Sequence, residues 1–282
     1  MSLITLIGPS NWAARYARCR PTLRYLAETE AHVYALAVAA SVLLSFYPFL
    51  IVILTFCRDV LNWPAAVNAI YMALNDFLPG ELGGFIQRNI KIRGTFQLTS
   101  MLLLLFTANG VFEPLEVALN RAWGVTSNRS YLRNQLVSLG MIFMCGGLAL
   151  LSLILTAMHQ SWTVGWTGPM VMMRSWVDLV LFKLAAVPIS ILALFLVYWL
   201  LPNRKVDPRQ AAPVAIVVGL LLEALKYVNL LIWPLFGTKL QREYGVFYNS
   251  VTILLWSFIG AMVILAGAEW AARAERDRTD VS

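Results

Sequence analysis

Hydrophobic residues occur along this chain in long runs, and the connections between the runs are polar. A helix that crosses a bilayer needs about 20 mostly apolar residues, because lipid offers the backbone no hydrogen-bond partner. Six runs are long enough, at about residues 31–56, 96–119, 136–158, 177–201, 211–233 and 247–268. The pattern predicts an all-α polytopic membrane protein. A six-helix transmembrane domain at 31–270 follows an N-terminal segment at 1–30 and precedes a C-terminal tail at 271–282.

The connection between the first two predicted spans has a periodicity of its own. Apolar residues recur at helical spacing over residues 67–78. This spacing predicts an amphipathic helix that begins after Pro64 and ends at Pro79-Gly80. A second, shorter one is predicted over residues 82–90. Such helices either lie flat at the outer interface or cap the bundle, and we favour capping.

Composition supports the membrane interpretation. The chain is 59% hydrophobic and 13% charged, against roughly 25% charged residues in soluble domains. A soluble enzyme, a secreted disulfide scaffold and a disordered regulator are therefore excluded. The three cysteines, Cys19, Cys57 and Cys145, are far apart in the sequence, so they predict neither a disulfide framework nor a zinc site.

The net charge of +7 is best explained by topology. Basic residues accumulate in cytoplasmic loops, and alternate connections of this chain hold thirteen Lys or Arg residues on one side and seven on the other. We therefore expect a multi-pass protein of a bacterial inner membrane with both termini in the cytoplasm. The bilayer is its expected partner, and we expect no nucleic-acid partner.

The second predicted span carries a polar stripe. Asn109, Glu113, Glu116 and Asn120 follow one another at spacings of 4, 3 and 4 residues, which places them on one helical face. An ionisable group inside a span costs about 2.5–3.5 kcal/mol on insertion scales. The stripe therefore lines either the bundle interior or a wet cavity. Alternatively, the two carboxylates lie near the cytoplasmic headgroups and pair with Arg121 or with loop arginines.

The fifth predicted span carries Glu223, Lys226 and Asn229 at three-residue spacing. Glu223 lies about 18 Å along the helix from Ala211, close to the middle of the membrane. A Glu–Lys pair at this spacing can neutralise itself locally. Alternatively, Lys226 balances a carboxylate of the second span across a central cavity. The residues leave both accounts open.

Four segments together resemble the YihY/BrkB family of bacterial inner-membrane proteins. They are ALAVAASVLLSFYPFLIV, NGVFEPLEVALNRAWGVTSNRSYLRNQLVSLG, VYWLLPNRKVDPRQAAPVAIVVGLLLEALKYV and REYGVFYNSVTILLWSFIGAMVILAGAEW. The resemblance covers about residues 28–272. The residues that carry it include Pro48, Pro202, Asn203, Tyr244, Gly245, Gly267 and Glu269. Among small residues of the last span, Gly260 and Gly267 offer surfaces for close helix packing, and Glu269 can pair with Arg273 one turn later.

The resemblance implies a six-helix membrane protein that is associated with serum resistance in one pathogen and suspected of transport. Family members have also been called ribonuclease BN. A metal-dependent nuclease needs several His and Asp ligands, whereas this chain has only His32 and His159, in different predicted spans. The sequence also lacks P-loop, GxSxG and HExxH motifs. We therefore expect no enzyme, no cofactor and no metal.

These observations lead to two main hypotheses about function. The first is a transporter or flippase-like exporter of a small or amphipathic solute, with a polar site between the second and fifth spans. The second is a non-catalytic envelope assembly or scaffolding factor, in which the polar residues only fix helix packing. An intramembrane lipid enzyme is the weakest alternative, because no nucleophile or metal ligand has suitable spacing. Homo-oligomers are compatible with each hypothesis.

Overall fold

The computed structural model describes residues 20–27, 30–77, 98–125, 130–163 and 187–279, and these residues form helices and short connections without any strand. The helices are α1 (20–27), α2 (Ala31–Thr55), α3 (Pro64–Phe77), α4 (Leu98–Ala122), α5 (Tyr131–Thr163), α6 (Val187–Leu200), α7 (Pro208–Tyr244) and α8 (Tyr248–Thr279). A π-helical turn, Phe56–Val60, continues α2, and a 3₁₀ turn, Gly245–Phe247, separates α7 from α8. The predicted all-α fold is confirmed.

Each of the six predicted spans overlaps a described helix. Residues 177–186, which the prediction assigned to the fourth span, lie outside the described residues, as does the amphipathic helix predicted over 82–90. Helix α3 is the first predicted amphipathic helix. It begins at Pro64, where a missing backbone N–H costs the helix nothing.

Three described stretches are long and apolar enough to cross a membrane: Ala31–Val60, Leu132–Ser152 and Pro208–Arg276, the last of which contains both α7 and α8. The count of six crossings stays a prediction. Helix α7 has 37 residues and is about 55 Å long at 1.5 Å per residue, so it extends beyond a hydrocarbon layer of about 30 Å. Helix α8 continues to Thr279, so the predicted C-terminal tail begins as helix.

One apolar core joins α2, α4, α5, α6, α7 and α8. Its buried members include Ala35, Ala118, Leu119, Ala215 and Ala268. Small residues at these positions let helix backbones approach closely, which is how helices pack when lipid competes for apolar contacts. Among the described helices, α2 packs most extensively against α4 and α8, and α7 packs extensively against α8.

A second, smaller core lies at the other end of α2. It includes Leu54 and Cys57 from α2 and its π-helical turn, Ala69 and Ile70 from α3, and Ile253 from α8. Helix α3 therefore packs on the bundle, as the capping interpretation predicts.

The proline of the first family motif lies inside α2. Pro48 is buried there, and because it has no N–H, the carbonyl of Leu44 loses its helical partner. One turn earlier, the Ser45 hydroxyl donates to the Ser41 carbonyl at 2.9 Å. Pro48 therefore interrupts the backbone hydrogen-bond pattern of α2 at this point.

Candidate functional site

Polar side chains meet at one end of the bundle, where α2, α5 and α7 begin and where α4, α6 and α8 end. They join parts of the chain that are far apart in sequence. We call this group the polar layer. Its members are Thr22, Glu30, Glu116, Asn120, Arg121, Asn134, Asn203, Arg204, Glu269, Arg273 and Glu275.

Glu116 occupies the interface between α4 and α5. Glu116 is only 3% exposed. Asn134, near the start of α5, donates its side-chain N–H to Glu116 Oε1 at 2.9 Å, the amide orientation that satisfies both groups. A buried carboxylate needs such donors, because burial without hydrogen bonds would cost several kcal/mol.

Asn120, one turn after Glu116, fixes the connection between α6 and α7. Its Oδ1 atom accepts a hydrogen bond of 2.7 Å from the backbone N–H of Asn203. Asn120 is buried, as is the neighbouring Pro202. The lower half of the predicted polar stripe therefore meets the Pro-Asn motif of the family resemblance, 83 residues away along the chain.

Glu269 connects α8 with α1. The residue is 6% exposed, and the Thr22 hydroxyl donates to its Oε2 atom at 2.6 Å. Arg273 Nη1 lies 3.9 Å from Glu269 Oε1, and Arg273 Nη2 donates to the Thr22 hydroxyl oxygen at 3.1 Å. Burial raises the pKa of the nearby Tyr25 hydroxyl, and the negative charge of Glu269 raises it further.

Two ion pairs complete the polar layer at its edge. Arg121 pairs with Glu30, which precedes α2, and Arg204 pairs with Glu275 near the end of α8. The Arg121 pair is well exposed, so water screens its charges and we expect it to contribute little to stability. Its structural consequence is nonetheless clear, because it ties the end of α4 to the start of α2.

The charged pair of the fifth predicted span lies apart from the polar layer. Lys226 Nζ forms an ion pair with Glu223 Oε1 on the same helix, with side-chain exposures of 12% and 21%. The ammonium also lies 5.2 Å from the centroid of the Tyr227 ring. Asn229 is buried one turn further on. The sequence left two arrangements open, a local Glu223–Lys226 pair and a Lys226 that balances a carboxylate of the second span. The structure contains the local pair.

The structure places the remaining candidate residues as follows. Glu113 is exposed on α4, and the side chain of Asn109 lies outside the described part of the chain. Tyr244 and Gly245 are exposed at the turn between α7 and α8, where Gly245 has a φ of +50°. Within the described residues, α4 and α7 do not pack extensively against each other. A shared site between them stays a prediction.

Sequence reasoning missed several members of the polar layer, notably Thr22, Asn134 and Glu275. The spacing of Asn134, Ser138 and Met141 could have identified the face of α5 that turns inward, because these residues share one helical face. In the described residues, no group of three or more His, Cys, Asp or Glu side chains is placed to hold a metal ion.

These features define an integral membrane protein built as a helical bundle with a polar layer at one end. The family model described as Virulence factor BrkB matches residues 22–282. The chain therefore belongs to the BrkB family, which confirms the resemblance given by its motifs.

The curated relatives that the chain matches are described as membrane proteins. The chain is 29% identical over 247 residues to a UPF0761 membrane protein of Chlorobium luteolum, an alignment that covers 83% of this chain and 54% of the relative. It is 28% identical over 241 residues to the corresponding protein of Chlorobium limicola, with 83% and 52% covered. For a relative in Xanthomonas campestris, identity is 23% over 206 residues, with 70% and 46% covered.

The chain spans about half the length of the curated relatives that it matches. No solved structure matches it.

Proposed function

We propose that this protein is a non-enzymatic carrier of the bacterial inner membrane that moves a small or amphipathic solute across the bilayer, in the manner of a transporter or flippase-like exporter. We propose further that both chain termini lie in the cytoplasm. The observation that supports the proposal is the Glu223–Lys226 ion pair on α7, whose side chains are largely enclosed by protein.

The depth of this pair makes it unusual. Glu223 lies about 18 Å along α7 from Ala211, where the predicted fifth span begins, and therefore close to the middle of a hydrocarbon layer of about 30 Å. Leu220 and Leu221, on neighbouring positions, are more than half exposed and suit contact with lipid. Charged residues at this depth almost always face protein or water, and they mark solute and proton pathways.

A self-paired Glu and Lys can exchange partners with a charged solute. An anionic group would compete for Lys226, and a cationic group would compete for Glu223. A solute that carries both groups replaces both partners at once, so each buried charge stays compensated and the cost of about 3–5 kcal/mol that accompanies the loss of one partner is avoided. The carboxylate could also carry a proton and couple solute movement to the proton gradient.

The experiment uses purified protein in proteoliposomes with two probes, ethidium as an amphipathic cation and a fluorescent phosphatidylethanolamine as a lipid. We expect wild-type protein to accelerate the movement of at least one probe. Glu223→Gln should slow it by about tenfold or more, the effect of about 1.4 kcal/mol on a barrier. Glu113→Gln tests the stripe on α4 in the same assay.

The control variant is Glu243→Gln, which alters an exposed carboxylate of the same helix that lies 4.0 Å from Lys239. It should transport like wild type. Wild-type rates in Glu223→Gln, at equal amounts of folded protein, would remove the ion pair from the mechanism.

The polar layer favours a second candidate, an envelope assembly or scaffolding factor. Its contacts join different elements: Glu116 to α5, Asn120 to the connection before α7, and Glu269 to α1. In that case, substitutions in the polar layer or in the Glu223–Lys226 pair lower protein abundance. Neither probe then moves faster than in protein-free vesicles.

A further inference from the structure

The start of α5 carries a cation on the outside of the bundle. Arg133 is exposed, and the nearby Leu132 and Leu136 are 75% and 69% exposed. Arg133 and Leu136 are three positions apart, which makes them neighbours on the helix surface. The side chain of Asn134 points the other way, because it donates to the Glu116 carboxylate on α4. Arg133 therefore borders the apolar surface of α5 that turns away from α4.

An apolar stripe continues from Arg133 along α5. Four exposed residues share one helical face at spacings of 4, 3 and 4 positions. They are Leu132, Leu136, Leu139 and Phe143. Phe143 lies about 15 Å along the helix from Arg133, which is half of a hydrocarbon layer of about 30 Å. The stripe therefore has the length of one membrane leaflet, with the cation at one end.

This surface belongs to Leu132–Ser152, one of the three described stretches that are long and apolar enough to cross a membrane. In the apolar part of this stretch, 11% of the residues are buried inside the described protein, against 33% in the two other stretches. Lipid tails are as apolar as leucine side chains and cover the outward surface of a span. The apolar stripe on α5 therefore suits contact with an acyl chain.

The guanidinium of Arg133 decides which lipid fits. It lies at the level of the polar layer, to which the adjacent Asn134 belongs. Long basic side chains at the end of a span extend toward the lipid headgroups. Within the described part of the chain, no carboxylate forms an ion pair with Arg133. A guanidinium presents its N–H donors in a planar fork that matches the oxygens of a phosphate group.

We propose that α5 binds one anionic phospholipid in the leaflet at the polar-layer end of the bundle. Arg133 contacts the phosphate, and one acyl chain lies along Leu136, Leu139 and Phe143. An anionic headgroup keeps a net negative charge that attracts the arginine. A zwitterionic headgroup carries its own cation beside the phosphate, so this attraction is weaker. The site therefore selects lipids by headgroup charge, whereas the apolar stripe accepts any acyl chain.

Lipid binding can be measured without any transport assay, so this inference stands independently of the proposed function. The full chain, purified in a nonionic detergent, is titrated with phosphatidylglycerol and, separately, with phosphatidylcholine of the same acyl chains. Native mass spectrometry counts the bound lipids, and Tm is recorded in parallel. We expect one tightly bound phosphatidylglycerol per chain and a saturable rise in Tm. Phosphatidylcholine should bind about tenfold more weakly, because it lacks the net charge.

Arg133→Gln is the decisive variant. It should weaken phosphatidylglycerol binding about tenfold, the effect of losing one hydrogen bond between charged groups, and leave phosphatidylcholine binding unchanged. Arg133→Lys keeps the charge and should retain most of the preference. Lys205→Gln is the matched control, because it removes an exposed charge from the connection between α6 and α7 at the same end of the bundle. It should bind phosphatidylglycerol like wild type.

Two further measurements separate the acyl chain from the headgroup. Phe143→Ala should weaken the binding of both lipids alike, because it removes apolar contact without changing charge. Glycerol 1-phosphate, which has the headgroup phosphate without acyl chains, should neither raise Tm nor displace phosphatidylglycerol. A rise in Tm with this soluble phosphate would contradict a lipid as the occupant, and unchanged lipid binding in Phe143→Ala would contradict the position of the acyl chain.

The proposal is overturned if wild type binds both lipids equally well, if Arg133→Gln keeps the preference, or if Lys205→Gln loses it to the same extent. The last result would indicate a general attraction between a basic protein and anionic lipid. Failure of either lipid to bind would also overturn it, and would indicate that protein covers this surface of α5.

Discussion

Gly267 lies where α8 packs closely against α6 and α7. A Cβ atom at this position would contact Val218 Cγ2 at less than van der Waals distance and would come within 2.8 Å of Tyr198 Oη. The Tyr198 ring is fully buried, and its hydroxyl donates to the Ile264 carbonyl at 2.8 Å. Because this hydrogen bond fixes the ring, the tyrosine cannot move aside to accommodate a methyl group.

Gly267→Ala should therefore destabilise the protein, by about 1–3 kcal/mol as in other overpacked cores. The measurement is Tm of the detergent-purified protein. Gly260→Ala is the matched control, since a Cβ there meets no atom of the described residues within 4 Å. That control should be neutral or stabilising by about 0.5–1 kcal/mol, because alanine favours a helix interior more than glycine does. Equal Tm values for the two variants would contradict the packing argument.

The sequence predicted a packing role for both glycines, and among the described residues the structure supports it for Gly267 alone. Small side chains at helical spacing identify a surface that can approach another helix. Which of them does so depends on the neighbour, here Tyr198, which is 69 residues away in the chain. That information is not present in a local pattern.

Helix α1 packs on the bundle along one face. Tyr25 and Leu26 pack against the main core, and Thr22 donates to the buried carboxylate of Glu269. Arg20 and Arg24 lie on the exposed face of the helix. A short helix held in this way can detach without unfolding the rest of the molecule.

Thr22→Val should increase the rate of tryptic cleavage after Arg24 about tenfold, since a hydrogen bond to a charged group contributes about 1.5–3 kcal/mol and proteolysis follows the population of the open form. Cleavage is followed by mass spectrometry of the purified protein. Thr252→Val removes a buried hydroxyl that bonds the Tyr248 carbonyl of its own helix. It should leave cleavage at Arg24 unchanged. Similar rates in both variants would show that Thr22 does not hold α1.

At the scale of elements, the positions of helices could be predicted, whereas their contacts could not. A run of apolar residues specifies a helix locally, because a backbone in lipid must bond to itself. The ends of α2 and α3 accordingly lie close to the predicted ones. The hydrogen bond between Thr22 and Glu269 joins residues 247 positions apart, and no periodicity in either segment encodes it.

For the whole molecule, the polar layer places both ends of the described chain on the same side of the bundle. Thr22 of α1 contacts Glu269 and Arg273 of α8, so α1 and the last turns of α8 lie together. An even number of crossings, such as the six predicted, would produce this arrangement. The excess of Lys and Arg in the connections on this side then predicts that it faces the cytoplasm.

This orientation can be tested with reporter fusions expressed at equal levels. Green fluorescent protein fused after Ser282 should fluoresce, and alkaline phosphatase fused there should be inactive, because each reporter works on only one side of the membrane. The same reporters fused to a chain truncated after Phe77 should give the opposite result, since α2 ends at Thr55 and has then crossed once. An active phosphatase after Ser282 would reverse the orientation, whereas identical results at both fusion sites would contradict the crossing by α2. Because α1 and α8 meet in the folded protein, either outcome also fixes the side on which the polar layer lies.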